Sequence, residues 1–127
     1  MPITIHIKGM EDVLKELRQA PKEAKKEVIG VLREAARDIQ QDARTRCPVD
    51  TGTLQKSIRY SVSKKKLEAR VSAGGKVAGV DAFYAPFVEY GTKHAPAKPF
   101  LFPAARAREK QTTEELEEAL LRAMGAM

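Results

Sequence analysis

PKEAKKEVIGVLREAARDIQQDARTRCP (residues 21–48) sets Ala24, Val28, Val31 or Leu32, Ala35, Ile39 and Ala43 three or four positions apart. Lys22, Glu23, Lys26, Arg33, Asp38 and Arg44 fill the other faces. That period predicts one apolar stripe on an otherwise wet helix. Pro21 suits a first helical turn, and Pro48 stops the run because the residue before a proline is pushed out of helical geometry. A helix of about 25 residues is long for a domain of this size. Its stripe is rich in alanine, which lets a neighbouring element come close.

Working outward, ITIHIKG (3–9) alternates Ile3, Ile5 and Ile7 with Thr4, His6 and Lys8, the period of a half-buried strand ended by Gly9. MEDVLKELRQA (10–20) carries Met10, Val13, Leu14 and Leu17 at helical spacing. Beyond the long helix, Ile58, Tyr60 and Val62 alternate with Arg59, Ser61 and Ser63, a strand beginning near Ser57. Lys64-Lys65-Lys66 makes a charged turn, and Leu67, Ala69, Val71 and Ala73 give a second strand antiparallel to the first. Gly74-Gly75 bends the chain, and KVAGVDAFY (76–84) reads as a third strand. APFVEYG (85–91) reads as one or two helical turns, opened by Pro86 and capped by Gly91. TKHAPAKP (92–99) is a proline-rich loop. From about Phe102 to Met124, Leu116, Ala119, Leu120 and Ala123 form a helical face, with Pro103 in the first turn. Thr112 and Glu115 have capping-box spacing, but nothing else breaks the pattern there, so one helix is predicted. The fold class is α+β: a long N-terminal helix and a C-terminal helix packed on a small antiparallel β-sheet, one domain over residues 1–127.

Hydrophobic residues at 43% and charged residues at 31% describe a chain that folds. No apolar run reaches the length of a membrane span, and Met1-Pro2-Ile3-Thr4 does not begin a signal peptide, so folding in a cytoplasm is expected. The single cysteine, Cys47, has no internal disulfide partner. The net charge of +6 is uneven. Residues 59–110 hold eleven Lys/Arg against four Asp/Glu, and residues 111–127 hold one against four. Lys64, Lys65, Lys66, Arg70 and Lys76 form a candidate basic patch for nucleic acid or an acidic partner, the alternative being a solvated hairpin tip.

Asp50-Thr51-Gly52 spells the active-site triplet of aspartic proteases. A retroviral-type enzyme would need bulky apolar strands on both sides of it and a second carboxylate to share a proton. The residues before it are the end of a charged helix, and those after it begin Thr53-Leu54-Gln55-Lys56, so a capping turn is the better reading. His6, His94 and Cys47 lack metal-ligand spacing. His6 is expected on the surface, opposite the isoleucine face. AGGKVAG (73–79) lacks the strand-to-helix context of a phosphate loop. No catalytic set and no cofactor are expected. Six of the seven aromatics instead fall in residues 83–104: Phe83, Tyr84, Phe87, Tyr90, Phe100 and Phe102. Such a concentration builds a local mini-core or anchors an interface.

Three blocks carry a family resemblance: IKGMEDVLKELRQAPKEAKKEVIGVLREAARDIQQDARTRCPVDTGTLQKSI (7–58), YAPFVEYGT (84–92) and PFLFPA (99–104). In order and spacing, the chain resembles the neck or tail-completion proteins of lambda-like long-tailed phages and prophages, the gene-ten-product family. Carried over by the resemblance, Pro48, Val49, Asp50, Thr51, Gly52, Leu54, Ser57 and Ile58 are the signature turn and following strand. Tyr84, Glu89, Tyr90, Gly91 and Thr92 match the second block, and Pro99, Phe100 and Pro103 the third. With Phe87, these last two groups are the candidate subunit or partner interface. Cys47 stands where a small residue is common, and Lys93-His94-Ala95-Pro96 falls where members vary. The resemblance implies a non-enzymatic virion protein at the head–tail joint, assembled as a homo-oligomeric ring. Its partners would be connector and tail proteins, with non-specific contact to packaged DNA. It would be made in the bacterial host cytoplasm, with no membrane and no small-molecule substrate. A small basic nucleic-acid-binding module, or a protease using Asp50, are the competing functions.

Overall fold

A computed structural model of the protein describes residues 3–8, 18–19, 21–48, 52–77 and 80–123. In chain order the elements are β1 (Ile3–Lys8), α1 (Lys22–Arg46), α2 (Thr53–Ser57), β2 (Arg59–Ser63) and β3 (Glu68–Ala73). They are followed by β4 (Gly75–Val77), β5 (Val80–Ala82), α3 (Ala85–Tyr90) and α4 (Leu101–Ala123). The α+β class holds. The predicted helix at 10–20 lies outside the described residues.

The alanine-rich stripe does what its spacing requires. Val28, Leu32, Ala35, Ala36, Ile39 and Ala43 are buried along α1, which packs on β2 and β3 with one face and on α4 with another. Asp38 pairs with Arg108 at 3.0 Å and Glu27 with Arg122 at 3.3 Å, so α1 and α4 run antiparallel. Arg108 is buried, and beyond Asp38 it donates to Thr112 Oγ1 and to Glu115. Thr112 Oγ1 donates in turn to the carbonyl of Arg108. The Thr112–Glu115 spacing is therefore not a helix start: both side chains serve one buried guanidinium, and α4 runs through unbroken.

The main sheet has the order β1-β3-β2, antiparallel throughout. Its third strand is the N-terminal one. KVAGVDAFY does not join it; Gly75–Val77 and Val80–Ala82 pair antiparallel as a separate two-stranded sheet, with Gly75 facing Ala82. In register, Ile5 faces Val71, which faces Tyr60, and Ile7 faces Ala69, which faces Val62. Those residues share the face under α1. The other face carries Thr4, His6, Arg59, Ser61, Ser63, Glu68, Arg70 and Ser72, all polar. His6 is largely exposed, as expected, and its ring pairs with the Glu68 carboxylate, which Arg70 also reaches at 3.3 Å.

Two expectations change near the strand ends. Leu67 does not begin β3. It ends the lysine turn in a left-handed conformation, φ 52°, with its side chain fully buried. That backbone costs about 1–2 kcal/mol, and burying a leucine returns about 1.5–3 kcal/mol. The strand predicted near Ser57 starts instead at Arg59, because Thr53–Ser57 wind into a helical turn.

Arg108 is the structural weak point of the helix pair. Arg108→Ala, which empties the site and strands its partners, is expected to lose about 2–4 kcal/mol in urea unfolding. Arg108→Met, which keeps the stem packed, should lose clearly less. Equal losses would mean that the charge network contributes nothing beyond packing.

Candidate functional site

The first sequence block is a clamp on the end of α1. Cys47 closes the helix, its N–H donating to the Ala43 carbonyl at 2.9 Å. Gln55 Nε2 donates to the Arg44 carbonyl at 3.0 Å, satisfying one of the orphan acceptors at a helix C-terminus. Gln40 and Arg44 reach back to the Ile58 carbonyl at 3.0 and 2.9 Å. Gly52 opens α2 in the left-handed region, φ 82°, where a side chain would be strained. Leu54 and Ile58 are core residues, and Ser57 is fully buried. Ser57 Oγ donates to the Leu54 carbonyl at 2.6 Å and accepts from the Gly74 N–H at 2.8 Å, tying α2 to the bend after β3. Pro48 is exposed. Val49, Asp50 and Thr51 lie outside the described residues. The flanking elements are helices on both sides, α1 before and α2 after, and not the strands that an aspartic-protease turn joins.

The second and third blocks meet at one carboxylate. Glu89 is buried, and its Oε1 accepts from the N–H of Phe100 at 3.3 Å and of Leu101 at 2.8 Å. These are the first free donors of α4. The segment Lys98-Pro99-Phe100 offers no Ser, Thr, Asp or Asn to cap the helix locally, and Pro103 removes a third donor by having none. Glu89 therefore acts as a cap supplied from 12 residues earlier in the chain. Its negative charge also sits favourably at the positive end of the helix. The same charge has a second effect. Burial, and then the Glu89 carboxylate, push the Cys47 thiol up to about 11, so it stays protonated and inert at neutral pH.

Between the two blocks the chain is tightly fixed. Gly91 ends α3 at φ 80°, and a Cβ there would lie 2.7 Å from the Ala97 backbone nitrogen. Only glycine fits. Thr92 closes the 92–95 turn, exchanging backbone bonds with Ala95 and accepting on Oγ1 from the N–H groups of His94 and Ala95. Lys98 N–H donates to the Val88 carbonyl at 2.8 Å. Thr92 and Pro99 nonetheless remain exposed.

This support presents an inverted helix. Helix α3 turns Ala85 and Glu89 to the core and leaves Phe87 53% and Tyr90 60% exposed. Phe83, just before it, is 59% exposed. Phe87 and Tyr90, three positions apart on α3, form an outward aromatic stripe, and Phe83 is exposed just before the helix. Phe83 stands edge-on to the half-buried Tyr84, and the Tyr90 ring lies 5.8 Å from the Phe102 ring. Of the interface candidates, then, Phe87, Tyr90, Thr92 and Pro99 face outward, and Tyr84 and Pro103 are half-buried. Glu89 and Phe100 are core residues, and Gly91 is a backbone requirement.

The basic residues do not form one cluster. Lys64, Lys65 and Lys66 stand exposed at one end of β3, Arg70 lies on its polar face, and Lys76 follows its far end on the other sheet. Arg59 Nη1 donates to the carbonyls of Ser57 and Gly74. Among the described residues, no three His, Cys, Asp or Glu side chains converge as metal ligands, and no helix is long and apolar enough to cross a membrane.

Compared with known proteins, residues 11–91 match a family model described as "Bacteriophage HK97-gp10, putative tail-component". That span is more than half of the chain and includes the α1 clamp, Glu89 and Gly91. No curated protein and no solved structure matches.

If Glu89 caps α4 across the chain, Glu89→Ala leaves two helix-end donors unsatisfied and should lose about 2–4 kcal/mol in urea unfolding. Glu89→Gln keeps an acceptor and loses the charge, for a cost of about 1 kcal/mol. Both variants within experimental error of wild type would refute the cap.

Proposed function

The chain belongs to the HK97-gp10-like family of bacteriophage tail components, and on that premise we propose that it is a non-enzymatic building block of the head–tail joint. Copies of the chain close a ring there, between the head connector and the tail proteins, after folding in the host cytoplasm. The observation that carries this reading is the outward aromatic stripe of α3. Phe83, Phe87 and Tyr90 are each more than half exposed. An aromatic side chain buries 150–250 Å² when covered, so the three leave roughly 300 Å² of ring surface in water. That approaches the largest apolar patch of an ordinary monomer, which is often functional. The residues that hold it there, Glu89, Gly91 and Thr92, are family-block residues spent on support.

The helices on both sides of Asp50-Thr51-Gly52 speak against the protease alternative, since that chemistry needs a strand-borne carboxylate pair.

A second contact is favoured by the polar face of the main sheet. The exposed Lys64, Lys65 and Lys66 stand at its tip, and Arg70, paired with Glu68, lies on it beside hydroxyls from Thr4, Ser61 and Ser72. Lysine, arginine and hydroxyl groups are the residue types that hold phosphates without reading bases. In the assembled joint this face would touch the packaged DNA.

Purified chain should assemble into closed rings, alone at high concentration or with connector and tail components, and electron microscopy should place the ring at the joint. Phe87→Ser with Tyr90→Ser should fold as wild type does but fail to assemble. A chain that stays monomeric at every concentration, and also with those components, contradicts the ring. Duplex-DNA binding should weaken with a log–log salt slope of about −3 to −4 if the four cations each meet a phosphate. A salt-independent affinity would remove the DNA contact.

A further inference from the structure

The surface charge of this subunit is sorted along α4. The end where the helix starts is basic. From Tyr90 to Arg108 the chain has no acidic residue. Lys93 and Lys98 stand exposed on the loop that follows Phe87 and Tyr90, and exposed Arg106 lies one turn beyond Phe102, whose ring neighbours Tyr90. The nearest acids before this run are engaged: Glu89 is buried in its cap, and exposed Asp81 faces Lys76 across the β4–β5 pair. Glu109 and Lys110 mark the boundary. Beyond them the sign changes. Glu114, Glu117 and Glu118 are exposed one to two turns before Leu121, and the cation beside Leu121, Arg122, is paired with Glu27 of α1. Exposed Glu34 falls on the same α1 ridge as Glu27 and Asp38, both of which reach α4 side chains, so the edge of α1 along this stretch is acidic too. The exposed α1 cations Lys26, Arg33 and Arg37 each come one position before a residue of that ridge, about 100° round the helix and away from α4.

We propose that the acidic end of α4 receives the aromatic stripe and basic loop of a second copy of the chain, with Leu121 packing on Phe87 and Tyr90 while Glu117 and Glu118 meet Lys93 and Lys98. The inference rests on the ring reading and names the contact that would close it. Three observations select this occupant. The first is charge. Each end carries one sign, so stripe against stripe, or acidic end against acidic end, sets like charges together, whereas one against the other pairs them. The second is apolar surface. Among the described residues the large hydrophobics left exposed are Phe83, Phe87, Tyr90 and Leu121. Three stand at the basic end and the fourth in the acidic face, so each end has an apolar centre flanked by one charge. The third is position. Nineteen residues of continuous helix separate Phe102 from Leu121, about 28 Å at the rise of an α-helix. The two surfaces therefore lie at opposite ends of the subunit, and one copy can insert its stripe into a neighbour while receiving the stripe of another. A contact between two different surfaces of identical chains is head-to-tail, the kind that generates rings.

The test uses the full chain and charge-reversed variants at exposed positions. Glu117→Lys/Glu118→Lys reverses the receiving face, and lysine suits a helix about as well as glutamate does. Lys93→Glu/Lys98→Glu reverses the inserting side. Sedimentation velocity reads assembly under conditions where wild type assembles, with connector or tail components added if wild type needs them, and urea unfolding checks the fold. Each variant alone is expected to unfold as wild type does and to run as a monomer. The chain carrying all four reversals should assemble again. So should a one-to-one mixture of the two variants, where the acidic loop of one meets the basic helix end of the other. Raised salt should weaken wild-type assembly, and Leu121→Ser should weaken it at every salt concentration. Reversed chains that assemble as wild type does would overturn this contact while leaving the ring intact. Failure of both the four-reversal chain and the mixture to recover assembly would overturn it equally. A wild type that stays monomeric under every condition would overturn the ring and this contact together.

Discussion

A single buried carboxylate joins α3 to the start of α4. Helix α4 begins at a segment with no capping residue of its own, and a helix end left uncapped in a protein interior carries unsatisfied donors. Glu89 supplies the missing acceptor from the inward side of α3. To reach it, α3 must turn Glu89 and Ala85 inward, and a six-residue helix that does so has no choice but to point Phe87 and Tyr90 outward. The exposed stripe is thus a geometric consequence of the cap. The cap also ties α3 to α4, which packs along α1.

The same economy runs through the signature turn. Ser57, Gln55 and Ile58 look from their chemistry like surface or strand residues, yet each closes an open hydrogen-bonding group on a neighbouring element. The blocks that resemble a family are joints between secondary structures. If copies of the chain adjoin one another as proposed, they align only if each one holds its shape. Rigidity lowers the entropy lost on docking, which leaves more of the contact energy for association.

Much of the architecture was legible from local pattern. The stripe from Ala24 to Ala43, the alternation in Ile3–Ile7 and in Tyr60–Val62, and the uninterrupted face of the last helix are periodic signals that need no tertiary information. What was not legible depends on long-range geometry. Nothing local in ITIHIK says that it adds to the far edge of β3, 68 residues on at the Thr4–Ser72 pair. The helical turn at 53–57 is five residues long, too short for any periodicity to declare itself. Leu67 kept the strand alternation in sequence while its backbone had already left it. Glu89 stands among the interface candidates only because it lies in the YAPFVEYGT block. The usable clue was negative: PFLFPA opens a helix and contains no cap. Phe87 and Tyr90 were identified as interface candidates, but only the burial of Glu89 separates them from Phe100, which went to the core.

The placement of α3 depends on whether Glu89 holds the start of α4 in solution. Amide hydrogen exchange on the intact wild-type chain reads this directly at Phe100 and Leu101. If the carboxylate caps both donors, these two amides exchange as slowly as those in the interior of α4, and the 92–98 loop that links the two helices shares part of that protection. Exchange at Phe100 and Leu101 as fast as at the exposed Lys64–Lys66 turn would contradict it. The aromatic stripe would then be the loose end of a frayed helix, with no rigid mount behind it.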